Sequence, residues 1–206
     1  MLDEVRVKRT LTTWLVLQCD FFLASAEQVH HNLNMTPVKS FLQKQLEHEK
    51  YLHGAAYTQN SARSLKKLTT TELAYLNQMV GGDSESSWRF EALEILIPGG
   101  RKREFSILSN PIAKARDLLG ESLRLEGNGE PIRAAVYLYT QLILSHLFLE
   151  ANRRTAALAC FWRLCHSKLE IDPLALLVVP VGDLMEPTAS ENLHAKITQL
   201  IRPGGG

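Results

Sequence analysis

The sequence predicts an all-α protein interrupted by a single β-hairpin, and three observations carry that expectation. Helix-start signals recur at Thr36-Pro37, Thr69-Thr70-Thr71-Glu72, Asn110-Pro111, Asp172-Pro173 and Thr188-Ala189-Ser190-Glu191. Each pairs a side-chain acceptor with a proline, or with a glutamate able to reach back to a backbone amide. The segments they open carry apolar residues at helical spacing. Strict alternation is confined to one passage, on either side of Pro98-Gly99-Gly100.

In order along the chain, residues 1–34 read as one helix with Leu11, Trp14, Leu15, Phe21, Phe22 and Val29 as its apolar positions. Thr36 caps the next helix, Pro37 takes its first position, and Val38, Phe41, Leu42 and Leu46 fall on roughly one face. Gly54 to Lys67 is polar and small and reads as loop or linker. It separates an N-terminal helical extension, residues 1–66, from a main domain, residues 67–202, with residues 203–206 as a disordered tail. The box at Thr69 opens a helix to about Val80 that stops at Gly81-Gly82, and Gly82 to Ser87 is loop. Leu93, Ile95 and Ile97, then the turn, then Arg103 to Leu108 form the hairpin. A lone hairpin is marginal by itself; flanked by helices, this one is a flap. Asn110-Pro111 opens a helix with Ile112, Ala115, Leu119 and Leu123 inward, ended by Gly127-Asn128-Gly129. Pro131 begins an apolar helix, Ala134 to Leu144, that delivers the chain to His146. Thr155 to Leu164 is another buried helix, a short one follows Asp172-Pro173, and the box at Thr188 starts the last.

The formal net charge of +1 gives no whole-chain attraction to nucleic acid or to an anionic membrane, so neither is expected as a partner and any anion binding must be local. Cys19, Cys160 and Cys165 have neither the number nor the spacing of a disulfide framework or a zinc site, which suits a reducing cytoplasm. Leu11 to Ala26, preceded by Lys8 and Arg9, imitates a signal peptide. Gln18 and Asp20 interrupt it and Glu27 to His31 continue its helical character, so a buried helix is the expected reading. No stretch reaches the ~20 apolar residues of a membrane span.

Polarity concentrates where two apolar helices meet, in His146-Leu147-Phe148-Leu149-Glu150-Ala151-Asn152-Arg153-Arg154. Asn152 is suited to cap the following helix, whose first turn holds Arg153, Arg154 and Thr155. Free amides there, with the positive end of the helix dipole, make an anion site, and two arginines add charge and bidentate geometry for phosphate. Glu150 suits Mg²⁺, which takes one or two carboxylates plus substrate phosphates. His146 can take a proton from an attacking hydroxyl, and Phe148 would pin the loop to the core. Taken singly, these residues are also an ordinary cap, a solvated first turn and a helix-end histidine. Their concentration between two buried helices favours phosphate-group transfer from a nucleotide to a hydroxyl.

The stretch His-Leu-Phe-Leu-Glu-Ala-Asn-Arg-Arg-Thr-Ala resembles the signature of the Fic/Doc (Fido) superfamily, H-x-F-x-[D/E]-[G/A]-N-[G/K]-R. His146, Phe148, Glu150, Ala151, Asn152 and Arg154 match, and Arg153 stands at the Gly/Lys position. The order of helices and hairpin over roughly residues 67–202 is similar as well. The resemblance implies a Fido-type helical bundle with a β-hairpin flap that uses ATP and Mg²⁺ to modify a hydroxyl side chain of a target protein. It implies His146 as general base and Glu150 as the Mg²⁺ ligand. Ala151, Asn152, Arg153 and Arg154, with the amides of the turn, would hold the phosphates. Ile95, Leu96, Ile97, Arg103 and Phe105 of the flap would dock the target by strand addition.

AMP-transferring Fic enzymes carry a second arginine three residues after the first, where this chain has Ala157. Arg153-Arg154-Thr155-Ala156 is closer to the Doc branch, which implies phosphorylation in place of AMP transfer, although arginine does not reproduce the Doc lysine. A degenerate module that binds nucleotide or a partner without catalysis is the alternative. Family members restrained by a Ser/Thr-x-x-x-Glu-Gly/Asn helix suggest two candidates. Ser122 to Gly127 fits the letters but lies between core helices. Glu191 is better placed, although Pro187 occupies the Ser/Thr position and Ala157 leaves no second arginine to pair with. An antitoxin-like regulator is a further partner the resemblance suggests. His30, His31, His48 and His53 have no metal-ligand pattern, and Arg101-Lys102-Arg103 is a short basic patch at the flap tip.

Overall fold

The computed structural model describes residues 37–81, 88–97 and 101–201. The helix expected over residues 1–34, the Thr36 cap, the side chains of Val38, Phe41 and Leu42, the turn at 98–100 and the tail lie outside them. Among the described residues the elements are α1 (Pro37–Arg63), α2 (Thr70–Gly81), β1 (Leu93–Ile97), β2 (Arg101–Phe105), α3 (Pro111–Gly127), α4 (Pro131–Ser145), α5 (Asn152–His166), α6 (Pro173–Val178) and α7 (Ala189–Leu200). The protein is mostly helical with one small antiparallel hairpin. No described helix is long and apolar enough to cross a membrane.

The chain divides into two compact units, Met1–Gln45 and Leu46–Gly206. The second is built around α5. Every residue from Thr155 to Leu164 is buried, and a helix apolar on all sides has to be surrounded by others. α4 and α2 pack on it, α6 follows, α3 and α7 flank α4, and α3 also meets α2. Small side chains at Ala156, Ala157, Ala159 and Cys160 let these neighbours approach.

Several expected starts are present. Asn110 Oδ1 accepts from the Ala113 amide at 2.8 Å, and Asp172 Oδ1 from the Leu174 amide at 2.9 Å. The box at Thr69 forms by half. Its hydroxyl accepts from the Glu72 amide at 3.2 Å, but the Glu72 carboxylate goes to the Tyr57 hydroxyl at 2.6 Å and to Lys66 at 2.7 Å. Thr188 occupies the N-cap position of α7 and makes no side-chain cap bond. The segment from Gly54, read as loop, is helical to Arg63, because its small residues serve packing: Ala55, Thr58, Ser61 and Ala62 are buried. Leu46, by contrast, is 51% exposed. In α3 the inward stripe is Pro111, Ala115, Leu118, Leu119, Ser122 and Leu125, whereas Ile112 and Leu123 face out. The stripe is rotated so that the small Ser122 lies inward, donating to the Ala134 carbonyl of α4 at 3.0 Å. The second strand covers Arg101–Phe105, not Arg103 to Leu108, since the register pairs Leu93 with Phe105 and Ile97 with Arg101.

Gly54 shows why a small residue sits mid-helix. A Cβ there would lie 2.6 Å from Leu158 Cδ1 of α5 and 3.3 Å from Val80 Cγ1 of α2. Replacing glycine in a helix should gain up to about 1 kcal/mol from propensity, but overpacking costs about 1–3 kcal/mol. With two further methyl groups to place, the packing loss wins, so Gly54→Val should lower stability by about 2 kcal/mol in urea unfolding.

The ends of α3 and α5 are joined by a buried polar knot. Arg163 Nη1 lies 3.0 Å from Glu126 Oε2, while His166 Nδ1 and the Ser167 hydroxyl each meet Glu126 Oε1 at 2.8 Å. Burial raises the Glu126 carboxyl pKa, but the bonds from His166 and Ser167 and the charge of Arg163 outweigh it, leaving it below the ordinary value. A carboxyl depressed in the folded state adds stability above its unfolded pKa, and that contribution is lost as pH falls through the folded value. Glu126→Gln leaves Arg163 charged and buried, so it should cost about 3 kcal/mol at neutral pH. The difference from wild type should shrink in acid denaturation as the pH falls through the depressed folded-state value, where Glu126 itself protonates.

Candidate functional site

α4 and α5 are both buried, and the chain passes between them through residues 146–151. His146 ends α4 in the left-handed conformation (φ 46°), and Ala151 precedes α5 in the same region (φ 55°). A non-glycine residue there costs roughly 1–2 kcal/mol, so the loop must be held from outside. Asn152 holds it first. It is the opening residue of α5, not its cap: its Oδ1 accepts from the Phe148 amide at 2.9 Å and its Nδ2 donates to the Phe148 carbonyl at 2.7 Å. The expected capping role is therefore replaced by loop closure, because a left-handed Ala151 stands where a cap would.

Asn77 of α2 holds it second, donating to the Glu150 carbonyl and to the Thr155 hydroxyl, both at 2.9 Å. Gly81, one turn on, allows the approach: a Cβ there would meet that of Ala151 at 3.3 Å. Residues 88 and 89 hold it third. Trp88 bridges to Phe148 and stacks on its ring at 4.6 Å, and the Arg89 amide donates to the Leu147 carbonyl at 2.8 Å. Phe148 thus pins the loop, as expected. Asn77 left a trace in the sequence as a polar residue on the buried face of α2; Trp88 and Arg89 left none.

The outcome is an open helix start. α5 has no side-chain cap bond, so the first-turn amides of Asn152, Arg153 and Arg154 have no intrahelical acceptor and sit at the positive end of the dipole. The two arginines diverge. Arg153 Nη2 donates to the Val179 carbonyl after α6 at 3.0 Å, and its charge acts on the neighbouring Tyr139 hydroxyl. Arg154 Nη1 lies 3.0 Å from Glu47 Oε2 of α1, yet this buried nitrogen makes no well-aligned hydrogen bond. Glu150 projects into solvent. Ala157 is fully buried. Glu191 is exposed in the first turn of α7, and Glu126 is spent on Arg163; the carboxylate beside Arg154 is Glu47, which nothing in the sequence marked.

At the other end, the His146 ring lies 4.6 Å from the ring of Phe105, the last residue of β2. Phe105 is buried, and Arg103 stacks over it at 4.8 Å while reaching Met185 Sδ at 3.5 Å. Of the flap residues named for target docking, Phe105 and Arg103 therefore face the imidazole side, and Ile95 pairs with Arg103 in register. Leu96 and Ile97 lie in β1, opposite Lys102 and Arg101. Burial, then the charges of Arg89 and Arg103, lower the His146 pKa to about 4, so the ring is neutral at pH 7 and able to accept a proton.

A helical bundle with a flap strand laid beside a histidine at a helix junction defines a Fic-like fold. A solved structure, that of a Fic domain-containing signaling protein from Bacteroides thetaiotaomicron, matches with a TM-score of 0.55 and 17% sequence identity. The match covers 77% of this chain and 66% of that one, so this chain spans just under two thirds of that structure's length. No protein-family model and no curated protein sequence matches the chain.

An anion reaching Arg154 has to displace Glu47. The pair is half-exposed on the Glu47 side, and such pairs contribute up to about 1 kcal/mol. Glu47→Gln should therefore tighten binding of an added polyphosphate anion such as pyrophosphate by roughly five-fold in calorimetry. An unchanged affinity would mean that Arg154 is not where the anion binds.

Proposed function

We propose that this chain binds a nucleotide triphosphate, ATP, at the start of α5 and transfers part of it to a hydroxyl side chain of a target protein. The observation that carries the reading is the uncapped first turn of α5 with the buried Arg154 Nη1 beside it, ion-paired with Glu47 but without a well-aligned hydrogen bond, joined by one short loop to the neutral His146. Unfilled donors at a helix start favour a polyanion, and a base a loop away favours transfer over binding alone. The Fic-like fold agrees.

The residues fit Mg²⁺ only as a shared ion. No group of three or more His, Cys, Asp or Glu side chains that could hold a metal occurs among the described residues. Glu150 alone offers a free carboxylate in the loop, and one carboxylate plus phosphate oxygens is a usual Mg²⁺ environment. Bound there, the ion would neutralise phosphate charge. The first-turn amides and Arg154 would orient the phosphates once Glu47 moves away. His146 would take the proton as the target oxygen bonds to phosphorus. Attack at the α-phosphorus releases pyrophosphate and leaves AMP on the target; attack at the γ-phosphorus releases ADP and leaves a phosphate. Arg153-Arg154-Thr155-Ala156 leans toward the second, Doc-like outcome. The flap edge would take the target as an added strand.

A second reading, nucleotide or partner binding without catalysis, rests on the engagement of Arg153 by Val179 and of Arg154 by Glu47, and on the apolar Ala157. ATP labelled separately at the α and γ phosphates, with His146→Ala beside it, separates the cases. Label from γ alone means phosphorylation, label from α alone means AMP transfer, and binding without label means the module. Transfer should fall by about 10²–10⁴-fold in His146→Ala. The acid limb of the wild-type rate should lie near pH 4, since His146 accepts a proton only above about that value. Transfer that survives His146→Ala unchanged would overturn the general-base role.

A further inference from the structure

Arg89 lies between α2 and the flap and is 1% exposed; among the described residues no carboxylate forms an ion pair with it, although the charge of Glu91 acts on it. Charged side chains are seldom buried that far without a partner, so its hydrogen bonds show what its burial achieves. Nε donates to the His146 carbonyl at 2.7 Å. Nη1 donates to the Glu91 carbonyl, just before β1, and to the Ser106 carbonyl, just after β2, at 3.0 Å. The guanidinium carbon stands 5.7 Å from the Phe105 ring, which also meets the His146 imidazole and the Arg103 guanidinium. One planar fork thus gathers the C-terminal end of α4 and both strands at the base of the flap. The negative end of a helix dipole favours a cation there, which helps to offset the desolvation. A lysine has the charge but not the planar fork that spans these acceptors.

We infer that Arg89 is the positioning residue of this site, locking the base of the hairpin and the left-handed His146 into one unit so that a target strand held by the flap meets the imidazole in fixed register. The inference rests on the proposed transfer reading for its catalytic meaning, and on geometry alone for the lock itself. Among the described residues the Arg89 guanidinium bonds to the carbonyls of His146, Glu91 and Ser106 and to none of Glu150, Asn152, Arg153 or Arg154, so the far end of the loop is held independently of it. Phe105, Arg89 and Arg103 are the groups that face the imidazole. The two guanidiniums both disfavour its protonation, and losing one should raise its pKa.

The test uses the full chain as Arg89→Met, which keeps the apolar stem, and Arg89→Lys, which keeps the charge. Three measurements do not depend on activity: MgATP affinity, the His146 titration by nitrogen NMR, and amide exchange of Leu93–Ile97 and Arg101–Phe105. Arg89→Met should leave MgATP affinity within about two-fold, raise the His146 titration above its value of about 4 while burial and Arg103 still hold it down, and speed exchange across the hairpin. Transfer should slow by about 10²-fold, the usual cost of misplacing a reacting group by about 1 Å. Arg89→Lys should leave the titration nearer wild type while exchange still quickens and transfer still slows. If Arg89→Met does not fold, Arg89→Lys decides by the same readings. Hairpin exchange and His146 titration unchanged in the variant that folds would overturn the inference, as would wild-type transfer with the hairpin loosened. A wild-type chain that transfers nothing would instead overturn the proposed function, and exchange and titration would still decide the lock.

Discussion

Two buried helices, α4 and α5, have to be joined without leaving polar backbone unpaired in the interior, and the loop that joins them is the point on which the structure turns. The reciprocal pair between the Asn152 amide and the backbone of Phe148 closes that loop on itself. With the loop closed, His146 and Ala151 can be kept left-handed, and the first turn of α5 is left uncapped and facing outward. A buried backbone group without a partner costs of order 1–3 kcal/mol, so the loop's conformation is settled by where its hydrogen bonds go, not by its own propensities.

The same accounting divides the site into two ends held by different parts of the chain. Asn77 of α2 fixes the end next to α5 through Glu150 and Thr155. Arg89 and Phe105 fix the histidine end through the flap. The central helix beneath both is packed so closely that Gly54 has no room for a Cβ, which gives the loop a rigid floor. Charges are distributed accordingly: burial, helped by the guanidiniums of Arg89 and Arg103, disfavours a charged imidazole at one end, while Glu47 stands beside Arg154 at the other.

Much of the helix order was readable in the sequence, because it depends on short-range chemistry, and the loop that carries the candidate site was marked there by its residue types. Prolines and capping side chains act within three residues, so Asn110 and Asp172 marked their helices correctly. The signature around His146 is contiguous, so its parts arrive together wherever the loop is placed. Readings failed where a local role competed with a distant partner. Glu72 left its capping box for Tyr57 and Lys66, and the small residues after Gly54 proved to be helix packed against α5.

The sequence by itself determined a helical protein with one hairpin, and a polar loop whose residue types suit a phosphate, a divalent ion and a proton. Only the tertiary structure decided that Asn152 closes the loop instead of capping α5, that Arg153 and Arg154 turn to Val179 and Glu47, and that Arg89 joins the flap to His146. Val179 is 26 residues from Arg153, the His146 carbonyl is 57 from Arg89, and Glu47 lies on a separate helix from Arg154. Asn152 is the exception in distance, four residues from Phe148, yet its role follows from the left-handed Ala151 that α2 supports. A hydrogen bond or an ion pair requires donor and acceptor to meet in space, and residue order alone does not say which of them will.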